Sequence, residues 1–141
     1  MSDEYQIRYV DRPDDAIWSA IGGGISQYNK EKGGEDHARV YCVILFGPDQ
    51  EVAGGVICEL YWEWLYVNLM WIKEPLRGQG YGRQLLSLAE EEARRRGAKH
   101  AYLDTFSFQA PAFYKRNGYQ VFGELPDFPA GHTRYFMTKS L

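Results

Sequence analysis

The chain has 141 residues, 45% of them hydrophobic and 25% charged, with a formal net charge of −3. That is the composition of a soluble globular protein of one domain, residues 1–141, long enough to bury roughly 70% of its unfolded surface. The acidic balance, without a basic stripe, argues against nucleic acid, and no apolar run is long enough to span a membrane. The first five residues are acidic and carry no apolar signal core, so a cytoplasmic setting is expected.

In chain order, residues 5–10 read as a short strand. Pro13 suits the first turn of a helix over residues 14–30, which Gly22-Gly23-Gly24 is expected to break in two. Residues 40–46 and 52–62 flank Gly47-Pro48-Asp49-Gln50, a turn sequence, and predict a hairpin. Cys42 and Cys58 fall inside these strand patterns and read as small core residues in a reducing compartment. Residues 64–72 are rich in β-branched and aromatic side chains and predict a third strand. Residues 83–96 place Leu85, Leu86, Leu88, Ala89 and Ala93 at helical spacing, with Gly97 as the stop. On that helix Glu90, Glu91 and Glu92 precede Arg94, Arg95 and Arg96 by four residues, the pattern of a solvated face. Residues 99–106 predict a strand and 109–117 a short helix ending at Gly118. Residues 119–124 and 134–139 are the last strands, separated by a loop with Pro126, Pro129 and Gly131. The strand–helix–strand passage over residues 64–106 demands a parallel pair with a right-handed crossover, in a sheet otherwise mostly antiparallel.

Between the third strand and its following helix lies Arg77-Gly78-Gln79-Gly80-Tyr81-Gly82. Glycines at alternate positions let the backbone approach a ligand, and the helix behind offers unpaired N–H groups, so the stretch reads as an anion site suited to phosphate. Arg83-Gln84 stand where a Walker loop needs Lys-Ser or Lys-Thr. Arg83 also occupies the sixth position, counted from Gly78, where a dinucleotide fingerprint needs glycine. The loop with Arg77, Gly80 and Gly82 resembles the acyl-CoA signature of the GNAT N-acetyltransferases. A second stretch, Ala112-Phe113-Tyr114-Lys115-Arg116-Asn117-Gly118-Tyr119, resembles that family's helix-to-strand segment, one helix and one strand downstream. Thr105-Phe106-Ser107-Phe108-Gln109-Ala110 and Pro129-Ala130-Gly131-His132 resemble a small bacterial subgroup of the family.

The resemblance implies an α+β GNAT fold along essentially the whole chain: a mixed, mostly antiparallel sheet with a splayed parallel pair and helices on both faces. It implies acetyl-CoA as co-substrate, with the pyrophosphate against the amides of Gly78, Gln79, Gly80, Tyr81, Gly82 and Arg83. Arg77 and Arg83 are the nearest cations, Arg77 also being placed to brace the loop. The pantetheine arm is expected beside Met70, Trp71 and Ile72. Ser107 stands where many relatives carry an Asn that bonds this arm. Tyr114 matches the family's general acid for the leaving thiolate, with packing against the sulfur as its other reading.

An alkylamine costs roughly 4–5 kcal/mol to deprotonate at pH 7, so a base or relay is expected. Alternation puts Trp64, Tyr66 and Asn68 on one face of the third strand, without a carboxylate. Glu63, Asp104, His132 or a water relay held by Tyr66 and Asn68 remain as alternatives. Tyr28, with Trp18 on the first helical segment, and Tyr66 on the central strands are aromatic residues suited to an acceptor cleft. The leading expectation is transfer of acetyl to a primary amine of a small molecule, a metabolite or an amine-bearing toxin. Acetylation of a protein lysine or N-terminus, and a non-catalytic CoA-binding sensor, are the alternatives; the resemblance leaves a homodimer open.

Overall fold

In the computed structural model, which describes residues 4–141, the expected hairpin joins β1 (Arg39–Phe46) to β2 (Val52–Tyr61) in antiparallel register. Its turn is closed by Gly47 N–H to Glu51 O at 2.8 Å and Gln50 N–H to Gly47 O at 2.9 Å. β2 continues into β3 (Trp64–Ile72) through Trp62 and Glu63, both left-handed at φ 46° and 63°. That backbone matches the twist of a hairpin, although neither residue is the Asn or Gly that announces such a turn.

From β3 the chain passes a short 3₁₀ turn, Glu74–Leu76, and the glycine loop, then enters α2 (Tyr81–Arg95), which returns it to β4 (His100–Phe106) parallel to β3. α3 (Pro111–Arg116), β5 (Gln120–Pro126) and β6 (Thr133–Ser140) complete a six-stranded sheet of order β1-β2-β3-β4-β6-β5. All neighbouring strands except β3 and β4 are antiparallel. α2 buries Leu85, Leu86, Ala89 and Ala93 in one cluster with Val56, Cys58, Leu65, Val67, Ala101, Leu103 and Met137. Each large side chain of that core stabilises the fold by about 1.5–3 kcal/mol relative to exposure.

Two expectations about polar and sulfur positions are corrected. Glu90 is not on the solvated face of α2: it is buried, accepting Tyr119 Oη and Lys139 Nζ, each at 2.8 Å. Glu92 alone forms the surface pairs, with Arg95 and Arg96. Cys58 is buried as expected, whereas Cys42 is exposed on β1, an edge strand.

The chain divides into two units, one ending at Asp36 and one running from His37 to Leu141. The first contains α1 (Asp15–Gly33), a continuous helix through all three glycines where a break was expected. Each glycine costs about 1 kcal/mol relative to Ala in a helix, but the ends are well made. Asp14 caps the Ile17 N–H at 2.9 Å, Asp15 faces the positive end of the dipole, and Lys30 and Lys32 face the negative one. Residues 5–10 form no strand; their alternation is a strand pattern, but a strand exists only in a ladder, and they lie in none.

Candidate functional site

The glycines of the loop serve two different physical ends. Gly78 and Gly80 are left-handed, at φ 77° and 89°, a conformation that side chains resist. Gly80 is the N-cap of α2, and Gln84 N–H is the first to bond inside the helix, to Gly80 O at 3.2 Å. The N–H groups of Tyr81, Gly82 and Arg83 therefore precede the helical ladder, and no side chain caps them. A Cβ built on Gly80 would meet only Gln84 Nε2, at 3.9 Å, so approach to these donors is open. Donors of this kind with open approach fit a pyrophosphate. Gly82 is needed for packing instead: a Cβ there would stand 3.2 Å from the Phe113 ring and 3.3 Å from Ile72 Cδ1. Thus the two motifs noted in the sequence meet physically, Phe113 lying against the first turn of α2. Arg77 is turned back, its Nε donating to Ile72 O at 2.8 Å, and braces the loop; Gln79 Nε2 does likewise to Pro75 O at 3.1 Å. Arg83 is exposed on the first turn.

The parallel pair is short. β3 and β4 are in register only over Trp64, Leu65 and Tyr66, opposite His100, Ala101 and Tyr102. Beyond Tyr66 the strands part, and residues 67–72 of β3 keep only β2 as a partner. A bulge sits at this point: Val67 faces Cys58 and Leu69 faces Ile57, leaving Asn68 as the extra residue. The bulge keeps Asn68 exposed beside Tyr66, as alternation requires, and resets the strand so that Met70 and Ile72 pack on the core while Trp71 is exposed.

Tyr114 lies in the core on which Met70 and Ile72 pack. It is 8% exposed, belongs to the same buried cluster as the α2 leucines, and meets the rings of Phe113 and Tyr119 edge-on at 5.2 and 5.9 Å. Burial, with a smaller contribution from the Asp104 charge, pushes its phenol up to about 12. The hydroxyl therefore holds its proton at any physiological pH, as a proton donor must.

On the other face of β4, opposite the buried Leu103 and Thr105, Asp104 accepts Tyr66 Oη at 3.1 Å and both Nε and Nη2 of Arg134, at 3.0 and 2.7 Å. Burial first, then the Asp104 carboxylate, raises the Tyr66 phenol above its ordinary value, so it remains a donor. Ser107 Oγ accepts Thr133 N–H at 3.1 Å and lies 3.4 Å from His132 Nδ1; the hydroxyl ties β4 to the start of β6.

Among the other expected residues, Glu63 is removed from the opening. It occupies the turn before β3, paired with Lys99 at 3.6 Å, at the end of the strand where β3 and β4 are still joined. Tyr28 is on α1, in the other unit, under the Lys32 ammonium at 5.9 Å. Arg134 was missed by sequence reading. Its one signal was its phase on a strand of alternating large residues, which says nothing about a partner thirty positions away.

A glycine loop feeding an uncapped helix, beside a parallel pair that parts after three residues, is an arrangement that comparison with known proteins can test. The model of the acetyltransferase (GNAT) family matches residues 3–119. The chain belongs to the GNAT acetyltransferase family. The chain is 39% identical to a blasticidin-S acetyltransferase of Streptomyces morookaense over 72% of its own length and 76% of the relative's. It is 36% identical to an acetyltransferase of Agrobacterium fabrum, over 85% and 88% of the two chains. A crystal structure of an acetyltransferase from Bacillus cereus superposes with a TM-score of 0.87 at 31% identity, covering 95% of this chain and 98% of that one. Membership of an acetyltransferase family and acetyltransferase relatives at 36–39% identity support an acetyl-CoA-dependent enzyme, and the mixed sheet is the GNAT sheet.

Proposed function

We propose that this acetyltransferase moves the acetyl group of acetyl-CoA onto a primary amine of a small molecule, with Tyr114 as general acid. Three features support the reading: the uncapped start of α2, the parting of β3 from β4 after Tyr66, and the Tyr114 phenol buried in the cluster on which Met70, Ile72 and Phe113 pack. The amides of Gly80, Tyr81, Gly82 and Arg83 suit the pyrophosphate, with those of Gly78 and Gln79 in the loop before them. Arg83 is the cation free to reach a phosphate, since Arg77 holds the loop. The backbone of Met70, Trp71 and Ile72, lacking β4 as a partner, suits the amides of the pantetheine arm. Ser107 is a weaker candidate for this arm, because its oxygen already accepts the Thr133 N–H.

Tyr114 would hold its proton until sulfur departs. A phenol pushed up to about 12 is a weaker acid than a thiol near 8.5, so transfer is uphill by about 5 kcal/mol even to a full thiolate in water. The site must hold that thiolate as poorly solvated as the phenol for Tyr114 to protonate it. The blasticidin-S relative supports a small, amine-bearing acceptor, and the aromatic rings around Tyr66 suit one. Asp104 gives the acceptor side the charged group that β3 lacks, which favours turnover over a CoA sensor. The test is release of free thiol from acetyl-CoA with a panel holding blasticidin S, simple alkylamines and a lysine peptide. Release stimulated by the small amines is expected. Release stimulated only by the peptide would move the acceptor to protein, and CoA binding without release by any amine would leave a sensor.

A further inference from the structure

β4 lies between β3 and β6, so a carboxylate carried on it has a neighbour on each side, and the two oxygens of Asp104 are used differently. Oδ1 takes both donors of Arg134, from β6, while Oδ2 takes the Tyr66 hydroxyl, from β3. A carboxylate oxygen accepts about two hydrogen bonds, so Oδ2 keeps one acceptor position beyond the Tyr66 hydroxyl, and Asp104 lies on β4 past Tyr102, the last residue paired with β3. The guanidinium is not available to swing toward a ligand. Its Cζ lies 5.5 Å from the ring of Phe106, 5.0 Å from Phe128 and 5.2 Å from Phe136. Three ring faces and a carboxylate fix it, and its two donors hold Asp104 in one orientation. Beside Oδ2 the Tyr66 ring, whose hydroxyl it accepts, stacks on Tyr102 at 4.7 Å. Electron-rich ring faces beside a carboxylate select an organic cation over an anion.

We propose that Asp104 is the subsite for the acceptor's ammonium group, Oδ2 receiving one N–H of a protonated primary amine, with Arg134 as the positioning residue that holds this oxygen toward the parted strands. The inference rests on the acetyl-transfer reading above: the acceptor docks as a cation and gives its proton to water before attack.

The test is a titration of the CoA-saturated full chain with n-butylammonium chloride, followed by the carboxyl ¹³C signal of Asp104 and the amides of Tyr66 and Asp104. n-Butanol and sodium chloride are run as controls. Saturable shifts at these positions with butylammonium, absent with both controls, are expected. Asp104→Asn should weaken binding at least tenfold. Arg134→Met should weaken it three- to tenfold, with Arg134→Lys, which keeps the charge but not the fork, falling between. Shifts that do not saturate, equal shifts with n-butanol, or binding by Asp104→Asn within twofold of the parent would overturn the subsite. Parental binding by Arg134→Met would overturn the positioning role. If Asp104→Asn does not fold, the ¹³C signal of the parent decides alone. A parallel CoA titration separates the two readings: failure to bind CoA counts against acetyl transfer, and failure to bind butylammonium beside intact CoA binding counts against this subsite.

Discussion

At the start of α2 the site is made of backbone: left-handed Gly78 and Gly80, and the N–H groups of Tyr81, Gly82 and Arg83. Across the parted strands it is made of side chains: Tyr66, Asp104 and Arg134 from three different strands. The first region needs only local geometry, which one hexapeptide can encode. The second needs a sheet order that brings β3, β4 and β6 side by side. A backbone site tolerates changes of side chain but not of conformation, and a side-chain site does the reverse. On this view the donor end can be shared by a whole family while the acceptor end varies.

The sharpest way to test the contrast is Tyr114, the side chain proposed as general acid at the donor end. Tyr114→Phe removes one oxygen and keeps the ring against Phe113 and Tyr119. Loss of a general acid is typically worth roughly 10²–10⁴-fold, so kcat and kcat/KM should fall together by that factor in thiol-release kinetics. CoA affinity should stay within about twofold. Turnover within about threefold of the parent would make Tyr114 a packing residue. Next in size is Gly80→Val, which places a branched side chain at φ 89° in front of the helix start. Calorimetric titration should show CoA bound at least tenfold more weakly, about 1.4 kcal/mol; an unchanged affinity would reduce the loop to a turn.

Smaller effects separate glycines that look alike in the sequence. Gly82→Ala gains about 1 kcal/mol of helix propensity but must push Phe113 and Ile72 aside, and overpacking costs about 1–3 kcal/mol. A net loss of about 1 kcal/mol in denaturant unfolding is expected, with a severalfold drop in kcat as Phe113 disturbs its neighbour Tyr114. Gly23→Ala meets nothing within 4 Å and lies inside a helix, so it should stabilise α1 by about 0.5–1 kcal/mol. Slower amide exchange over α1 would show it; faster exchange would mean the triplet is needed as glycine.

These contrasts explain what was legible in the chain. The hairpin turn at Gly47–Gln50, the bounds of β3 and the donor loop are spelled out by neighbours in sequence, so each was readable. Gly82 was readable as part of a motif, but not as the contact for Phe113, because that reason lies thirty-one residues away. Glu90 reads as one of three solvent-facing glutamates until Tyr119 and Lys139 fold over it. Asp104 could be noticed as a carboxylate on a strand, but only the β4–β6 register gives it Arg134. The continuity of α1 was hidden because three successive glycines lower helix propensity, yet glycine has no geometry that forbids a helix, and the helix runs through them from the Asp14 cap to Gly33.

The extra residue in β3 changes the parity of the strand. Before Asn68 the even-numbered side chains, Trp64 and Tyr66, lie off the core; after it the odd-numbered Leu69 and Trp71 do. Asn68 is therefore a phase marker between two halves of one strand. Deleting it would bring Leu69 next to Val67 and close the ladder into regular alternation, so Leu65, Val67, Met70 and Ile72 would all stay on the core and only the bulge would be lost. The bulge thus lets β3 present two off-core side chains in succession, Asn68 and Leu69, at the point where the strand leaves β4.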